Sequence, residues 1–322
     1  MDHFELNFNI LYRVHNRHRW LGKSAILRYI STFIYVSTLT VTIVLNGLAG
    51  PGKSPFQHAT GSISARNEIC ITPAGYAFSI WGLIYFLLIL IALYAVVILF
   101  RRVGIDRTWQ LGGAVSVSFL LILSLNLALN ISWLFAWDHE QFIASFILLF
   151  LIALTNIMAL IHSARSFQNA APRLLTTSRF DFWVGTIVLN SQAIYKMWTI
   201  LACLVNLGIM IVDVAKVSEN EKQIDDVANN TCIGILAFLL VVFIIYFVLE
   251  QTLFMRLKNT IFTHYIVYIW ALIAIYLKQE NWASHTVQYL VIANIVLGCL
   301  LLILRIAFII YRNRRNALYK TI

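Results

Sequence analysis

Residues 74–100 of the chain read AGYAFSIWGLIYFLLILIALYAVVILF. No charged side chain interrupts this stretch, and about 20 consecutive apolar residues suffice for a helix to cross a bilayer. The stretch therefore predicts a membrane-spanning helix. With similar runs before and after it, the predicted spans are eight, at residues 29–50, 74–100, 111–135, 141–163, 181–212, 231–254, 261–277 and 286–311. The predicted fold class is all-α, a polytopic membrane helical bundle of about eight transmembrane helices with no sheet.

The overall composition supports this interpretation. Of the 322 residues, 60% are hydrophobic and 12% are charged, whereas an ordinary soluble domain has about 25% charged residues. So few charges cannot cover the surface of a globular protein of this size, which excludes a soluble enzyme and a disordered chain. The net charge of +10 does not indicate a nucleic-acid partner in so apolar a chain. The expected partner is the lipid bilayer.

The lysines and arginines are distributed unequally between the two sides of the predicted bundle. When the loops are assigned alternately, 17 of the 24 fall on the side that holds both termini and five on the opposite side. Those five are Lys53, Arg66, Lys216, Lys222 and Lys278. Because basic residues concentrate in cytoplasmic loops, we expect an integral multi-pass membrane protein with cytoplasmic N- and C-termini. The sequence leaves open which membrane holds it.

The start of the second span carries a candidate site. Thr72, followed by Pro73, predicts a helix start with the threonine hydroxyl as the N-cap. Phe78, Trp81 and Tyr85 follow at helical spacing and share one face of the helix. Such an aromatic stripe forms either core packing or one wall of a pocket, and its position just below a long loop favours the pocket.

Two further spans carry polar residues that hydrocarbon does not tolerate without a partner. In the third span, Asn126, Asn130 and Trp133 lie on one helical face, where the amides serve either interhelical hydrogen bonds or a ligand. The fifth span carries a candidate polar pathway, Asn190, Gln192 and Lys196. The alternatives for Lys196 are that its side chain reaches the lipid headgroups or that it pairs with Glu250. Glu250 and Arg305 lie near the cytoplasmic ends of their helices and are expected to reach water.

The four cysteines do not have the spacing of a metal site, and no metal site is predicted. Cys70 and Cys232 fall on the same non-cytoplasmic side. The default expectation is that these two cysteines are unpaired, and the alternative is a disulfide if that side is oxidising. Asn229 begins a glycosylation sequon on this side, directly before the sixth span.

The motifs around these residues resemble those of the TspO/MBR family, the tryptophan-rich sensory or translocator proteins. Thr72–Tyr85 resembles the family signature, in which a helix opening Thr-Pro-x-Gly-aromatic-x-Phe is followed by Trp and then by Tyr. Leu129–Phe135 is similar to the family's Leu-Asn-x-x-Trp segment. Val44–Ala49, Thr60–Ser64 and Trp137–Phe142 resemble segments of a longer, eight-helix branch.

This resemblance, over roughly residues 29–200, implies a bundle with a pocket between its helices, closed by the loop before the second helix. Family members bind porphyrins, sterols or synthetic hydrophobic ligands there. The positions that match the pocket are Phe78, Trp81, Tyr85, Asn126, Asn130 and Trp133. The expected ligand is accordingly a porphyrin- or haem-like molecule or a sterol, and no other cofactor is expected.

Three functions follow as hypotheses. The first is a non-catalytic membrane protein that binds, senses or carries a hydrophobic small molecule. The second is a transporter or channel for a polar solute, lined by Asn190, Gln192 and Lys196. An intramembrane enzyme is the least favoured, because no His/Asp/Glu cluster converges within the spans. The oligomeric state is open, a homodimer included.

The predicted organisation has five parts. Residues 1–28 form a basic cytoplasmic or interfacial segment, and 29–212 form the five-helix core that the resemblance implies. Residues 213–230 form an acidic non-cytoplasmic loop, 231–311 a three-helix extension, and 312–322 a basic cytoplasmic tail.

Overall fold

The computed structural model of the protein describes residues 2–103, 106–252, 260–278 and 284–318. Over these residues the chain forms nine α-helices. They are α1 (Asp2–Ala49), α2 (Thr60–Arg66), α3 (Ile80–Phe100), α4 (Val117–Asp138), α5 (Phe142–Thr177), α6 (Arg179–Ala215), α7 (Glu221–Thr252), α8 (Thr263–Lys278) and α9 (His285–Leu318). Single 3₁₀ turns cover Gly75–Ser79 and Thr108–Gln110. The extended structure of the described chain is one short antiparallel pairing, Arg102–Val103 with Asp106–Arg107.

Seven of the described helices are long and apolar enough to cross a membrane. The seventh predicted span, 261–277, corresponds to α8, which is apolar but has only 16 residues. At 1.5 Å per residue α8 is about 24 Å long, which is shorter than the hydrocarbon core of about 30 Å. The prediction of an all-α polytopic membrane bundle is confirmed.

Several boundaries differ from those predicted. α1 is continuous from Asp2, so the N-terminal segment 1–28 is not separated from the first span. α4 begins later than the predicted 111 because Ser116 caps it, its hydroxyl accepting a hydrogen bond from the Phe119 N–H. Of the expected loop 213–230, only residues 216–220 lie between α6 and α7, because α6 continues to Ala215 and α7 begins at Glu221.

Polar side chains join the helices in the interior of the bundle. Asn126 of α4 donates its amide hydrogens to Ile152 O and Thr155 Oγ1 of α5, both at 2.8 Å. Asn156 of α5 donates to Thr199 Oγ1 of α6 at 3.1 Å. A buried polar group is costly unless it is hydrogen-bonded, so these bonds fix the rotation of each helix against its neighbour.

Candidate functional site

A large cavity lies within the bundle, and α1 to α8 all contribute residues to its lining. Its volume is about 690 Å³, which is in the range of small-molecule sites, about 300–1,000 Å³. Most of its lining side chains are apolar. Its aromatic residues are Phe78, Trp81, Tyr85, Trp133, Trp137 and Trp198.

One wall of the cavity is built by aromatic residues of α3, the preceding turn and α6. The Trp81 ring stacks on that of Tyr85, with centroids 5.7 Å apart. Trp198 of α6 meets Phe78 and Trp81 edge to face, at 5.9 and 6.5 Å. The predicted stripe of Phe78, Trp81 and Tyr85 therefore lies on the cavity, and α6 completes the wall with Trp198.

The entry to this wall differs from the predicted helix start. The Thr72 hydroxyl accepts a hydrogen bond from the Ile69 N–H at 3.0 Å and so stabilises the turn before it, not the helix after it. The chain passes through the 3₁₀ turn Gly75–Ser79 before α3 begins. The Ala74 N–H donates to the Ala274 carbonyl of α8 at 3.1 Å, which anchors this turn on α8.

A second wall is formed by α4. The Trp133 and Trp137 rings stack with centroids 5.6 Å apart, and both line the cavity. Asn130 lies behind the lining, where its Oδ1 accepts a hydrogen bond from Asn46 Nδ2 at 3.0 Å. Asn46 is itself a lining residue. Asn126 is fully buried between α4 and α5, so four of the six expected ligand residues line the cavity and the two asparagines do not.

Residues 51–72, here called the cap, close one end of the cavity. The Asp138 carboxylate at the end of α4 accepts hydrogen bonds from the Gln57 and His58 N–H groups at 3.0 and 2.9 Å. The Trp137 indole donates to the Thr60 carbonyl at 3.2 Å. These bonds hold the first half of the cap on α4.

The second half of the cap is attached to α4 and to the last helices. Arg66 forms an ion pair with Glu140, which follows α4. The Glu68 carboxylate lies 2.6 Å from Lys278 Nζ at the end of α8. Cys70 and Cys232 of α7 form a disulfide, with their Cα atoms 6.2 Å apart. The default expectation that these two cysteines are unpaired is therefore wrong.

The three residues of the expected polar pathway do not come together. Asn190 binds the start of α8: its Nδ2 donates to Thr260 O at 3.1 Å and its Oδ1 accepts from the Phe262 N–H at 3.2 Å. Gln192 is fully buried, and its amide makes no hydrogen bond to the described residues. It points away from Asn190, because two residues correspond to about 200° around a helix.

Lys196 belongs to a buried charged network between α6 and α9. Its Nζ donates to the Tyr246 hydroxyl at 3.2 Å, and Tyr246 donates to Glu250 at 3.4 Å. Arg305 Nε lies 3.6 Å from the same carboxylate. Glu250 and Arg305 are both 0% exposed, so the expectation that they reach water is wrong: the two charges stabilise each other inside the bundle.

Sequence reasoning missed several lining residues. Trp198 and Asn206 of α6 line the cavity, as do residues of α7 and α8 such as Leu236 and Leu272. Trp198, Leu201 and Val205 recur at helical spacing, a signal that could have marked this face of α6. The described residues contain no group of three His, Cys, Asp or Glu side chains that could hold a metal ion.

Comparison with known proteins gives one match. A family model described as TSPO-like protein matches residues 32–309. No curated protein and no solved structure matches the chain. The matched region extends beyond residue 200 and includes α7, α8 and most of α9, so the last three helices belong to the family match as well as the first five spans.

Proposed function

The chain belongs to the TSPO-like protein family, and from this premise we propose that it binds a hydrophobic small molecule in the cavity under the cap. The chain is an integral multi-pass membrane protein with a lipid bilayer as its environment. The family suggests a role in binding or sensing small molecules. The proposal adds the site and the chemical type of the ligand.

The observation that carries the proposal is the aromatic lining of a cavity large enough for a ligand. Flat indole and phenol rings on two walls suit a flat, largely apolar molecule such as a porphyrin or a sterol. The cap covers the cavity and is held by polar contacts to α4 and α8 and by a disulfide to α7, which allows it to enclose such a molecule and shield it from water. Sensing or carrying the molecule would follow from its binding and release.

The polar-solute alternative has less support. Lys196 and Gln192 do not line the cavity, and Asn190 is engaged with the start of α8. A water-accessible path would require these residues to face one space. We therefore propose ligand binding rather than transport of a polar solute.

The test is binding of protoporphyrin IX and of a fluorescent sterol to the purified full chain in lipid nanodiscs. Binding is followed by the probe's own signal, because the substitutions remove tryptophans. Trp133→Ala and Trp81→Ala should each weaken binding about tenfold or more, since truncation of a buried aromatic anchor costs about 2 kcal/mol. The two residues lie on different helices, Trp81 on α3 and Trp133 on α4.

Trp183→Ala is the matched control, because Trp183 is 62% exposed on the outer face of α6. It should leave binding of the same probe unchanged. Unchanged affinity in both the Trp133→Ala and Trp81→Ala proteins would refute the proposed site. Absence of binding by the unmodified protein would refute a porphyrin- or sterol-like ligand.

A further inference from the structure

The cavity lining is almost free of charge. Among the described lining residues only Glu68 of the cap and Lys278 of α8 are charged, and they form one ion pair at 2.6 Å. The Glu68 side chain is 46% exposed and that of Lys278 is 23% exposed. The pair therefore lies where the cavity meets water, and it is the place at which a charged group of a ligand would be held.

The surroundings of this ion pair carry an excess of acids. The described residues at the cap end of the bundle include eight carboxylates and five basic side chains. The acids are Glu68, Asp138, Glu140, Asp213, Glu219, Glu221, Asp225 and Asp226, and the bases are Lys53, Arg66, Lys216, Lys222 and Lys278. Since the summed charge of a surface attracts opposite charges to its clefts, this end attracts cations and repels anions.

The inner walls favour the same sign of charge. Tryptophan and tyrosine rings present a negative face that attracts ammonium groups, and the two walls carry Trp81, Tyr85, Trp133 and Trp198. A cation at the cap end therefore meets a favourable carboxylate, and the aromatic rings beyond it do not oppose its charge. An anion would have to displace Glu68 within an acidic surface.

We propose that the ligand is a cationic amphiphile, whose apolar rings occupy the cavity and whose ammonium group binds Glu68 in place of Lys278. The inference rests on the proposed function and narrows its ligand class: the carboxylates of a porphyrin would be repelled at this end, so a sterol-like amine is favoured over a porphyrin. The Lys278 ammonium already occupies the position that the ligand would take. Its flexible side chain can withdraw into water without moving the backbone of α8.

The test uses three probes with the same sterol skeleton and different charge. They are 3β-aminocholestane, cholesterol and cholesteryl hemisuccinate, which are cationic, neutral and anionic. Affinities are measured by the ability of each probe to displace the fluorescent sterol from the protein in nanodiscs of zwitterionic phosphatidylcholine, with empty nanodiscs as the partition control. The amine should bind tightest and the hemisuccinate weakest, and the difference should shrink at high salt because exposed charges are screened.

Two substitutions of the ion pair should act in opposite directions. Glu68→Gln should weaken binding of the amine about threefold to fivefold, as expected for a partly exposed pair, and leave cholesterol unchanged. Lys278→Gln should strengthen binding of the amine, because it removes the competing ammonium. Glu68→Gln is isosteric, and Lys278→Gln shortens a flexible, partly exposed side chain. The Cys70–Cys232 disulfide and the Arg66–Glu140 ion pair still hold the second half of the cap in both proteins.

The possible results separate this inference from the proposed function. If none of the three sterols binds, the proposed function fails for this ligand skeleton and the charge inference fails with it. If all three bind with equal affinity, the proposed function stands and the charge inference is overturned. Tighter binding of the hemisuccinate, lost in Lys278→Gln, would also overturn it, in favour of an anionic ligand.

Discussion

Glu250 of α7 is a fully buried carboxylate with several ionic and hydrogen-bonding partners on α8 and α9. It accepts a hydrogen bond from the Tyr265 hydroxyl at 2.7 Å and lies 3.6 Å from both His264 Nε2 and Arg305 Nε. Arg305 also donates to the Ile261 carbonyl at 3.0 Å. An arginine inside a membrane bundle requires such compensation, so Glu250 is expected to act in stability rather than in ligand binding.

Glu250→Gln should lower the stability of the protein without changing its affinity for a ligand. Removing one member of a buried ion pair leaves a charge without its counter-charge and costs about 3 kcal/mol. The midpoint of thermal unfolding, followed by tryptophan fluorescence in detergent, should fall by several degrees. Glu221→Gln, at an exposed position on the same helix, is the control and should not change the midpoint. An unaltered midpoint in Glu250→Gln would contradict a structural role.

Part of the candidate site could be predicted residue by residue. Helical periodicity predicts that Trp81 and Tyr85 share a wall, because this depends only on the geometry of one helix, and Phe78 joins them from the 3₁₀ turn before it. It cannot separate Asn126, which joins two helices, from Asn46, which lines the cavity. Both are amides in apolar helices, and their roles depend on how each helix is rotated against its neighbours.

The second half of the cap is held by a covalent bond as well as by non-covalent contacts. The Cys70–Cys232 disulfide ties the cap to α7 covalently, whereas the contacts to Asp138, Glu140 and Lys278 are hydrogen bonds and ion pairs that open and close thermally. Without the disulfide, the residues from Lys53 to Cys70 should leave the bundle more often.

Reduction of the disulfide should increase the rate at which trypsin cleaves within the cap. Lys53 is exposed and Arg66 lies at the end of α2, so both are sites whose cleavage reports opening. The rate should rise severalfold on addition of a reductant to the purified protein, as judged by the appearance of N-terminal fragments that end in the cap. The Cys70→Ser protein should be cleaved at the faster rate with or without reductant.

The buried Cys203 provides the control for this experiment. Cys203→Ser should retain the response to reductant, because this cysteine is not in the disulfide. Equal cleavage rates for the oxidised and reduced forms of the unmodified protein would contradict a restraining role of the disulfide.

The sequence predicts where apolar helices cross the bilayer better than where they end. Hydropathy detects only the part of a helix that lies in lipid. Residues 213–230 are acidic and have low hydropathy, and they were therefore expected to form a loop. In the structure, residues 221–230 are the first turns of α7, and Asn229 of the sequon accepts a hydrogen bond from Ser284. A helix that continues into water keeps its backbone bonds while its side chains become polar.

The whole molecule has one acidic and one basic end. Of the lysines and arginines that the structure describes, five lie at the cap end and 14 at the opposite end, which is the 17 assigned there from the sequence less the three outside the described residues. α6 and α7 have 37 and 32 residues, well above the approximately 20 that a span requires. Their connection at 216–220 therefore extends beyond the hydrocarbon core, which makes it a suitable reporter of the side on which the cap lies.

A glycosylation sequon placed in this connection should be used in a eukaryotic host. Lys216→Asn creates Asn-Val-Ser at an exposed turn, where Val217 is 89% exposed. Because basic loops remain in the cytoplasm, the cap end should face the lumen, and the protein should gain a glycan that an endoglycosidase removes. Leu175→Asn creates Asn-Thr-Thr at the basic end and should remain unmodified. Modification of the Leu175→Asn protein with none of the Lys216→Asn protein would mean that both termini lie on the lumenal side, and that the excess of basic residues does not set the orientation of this bundle.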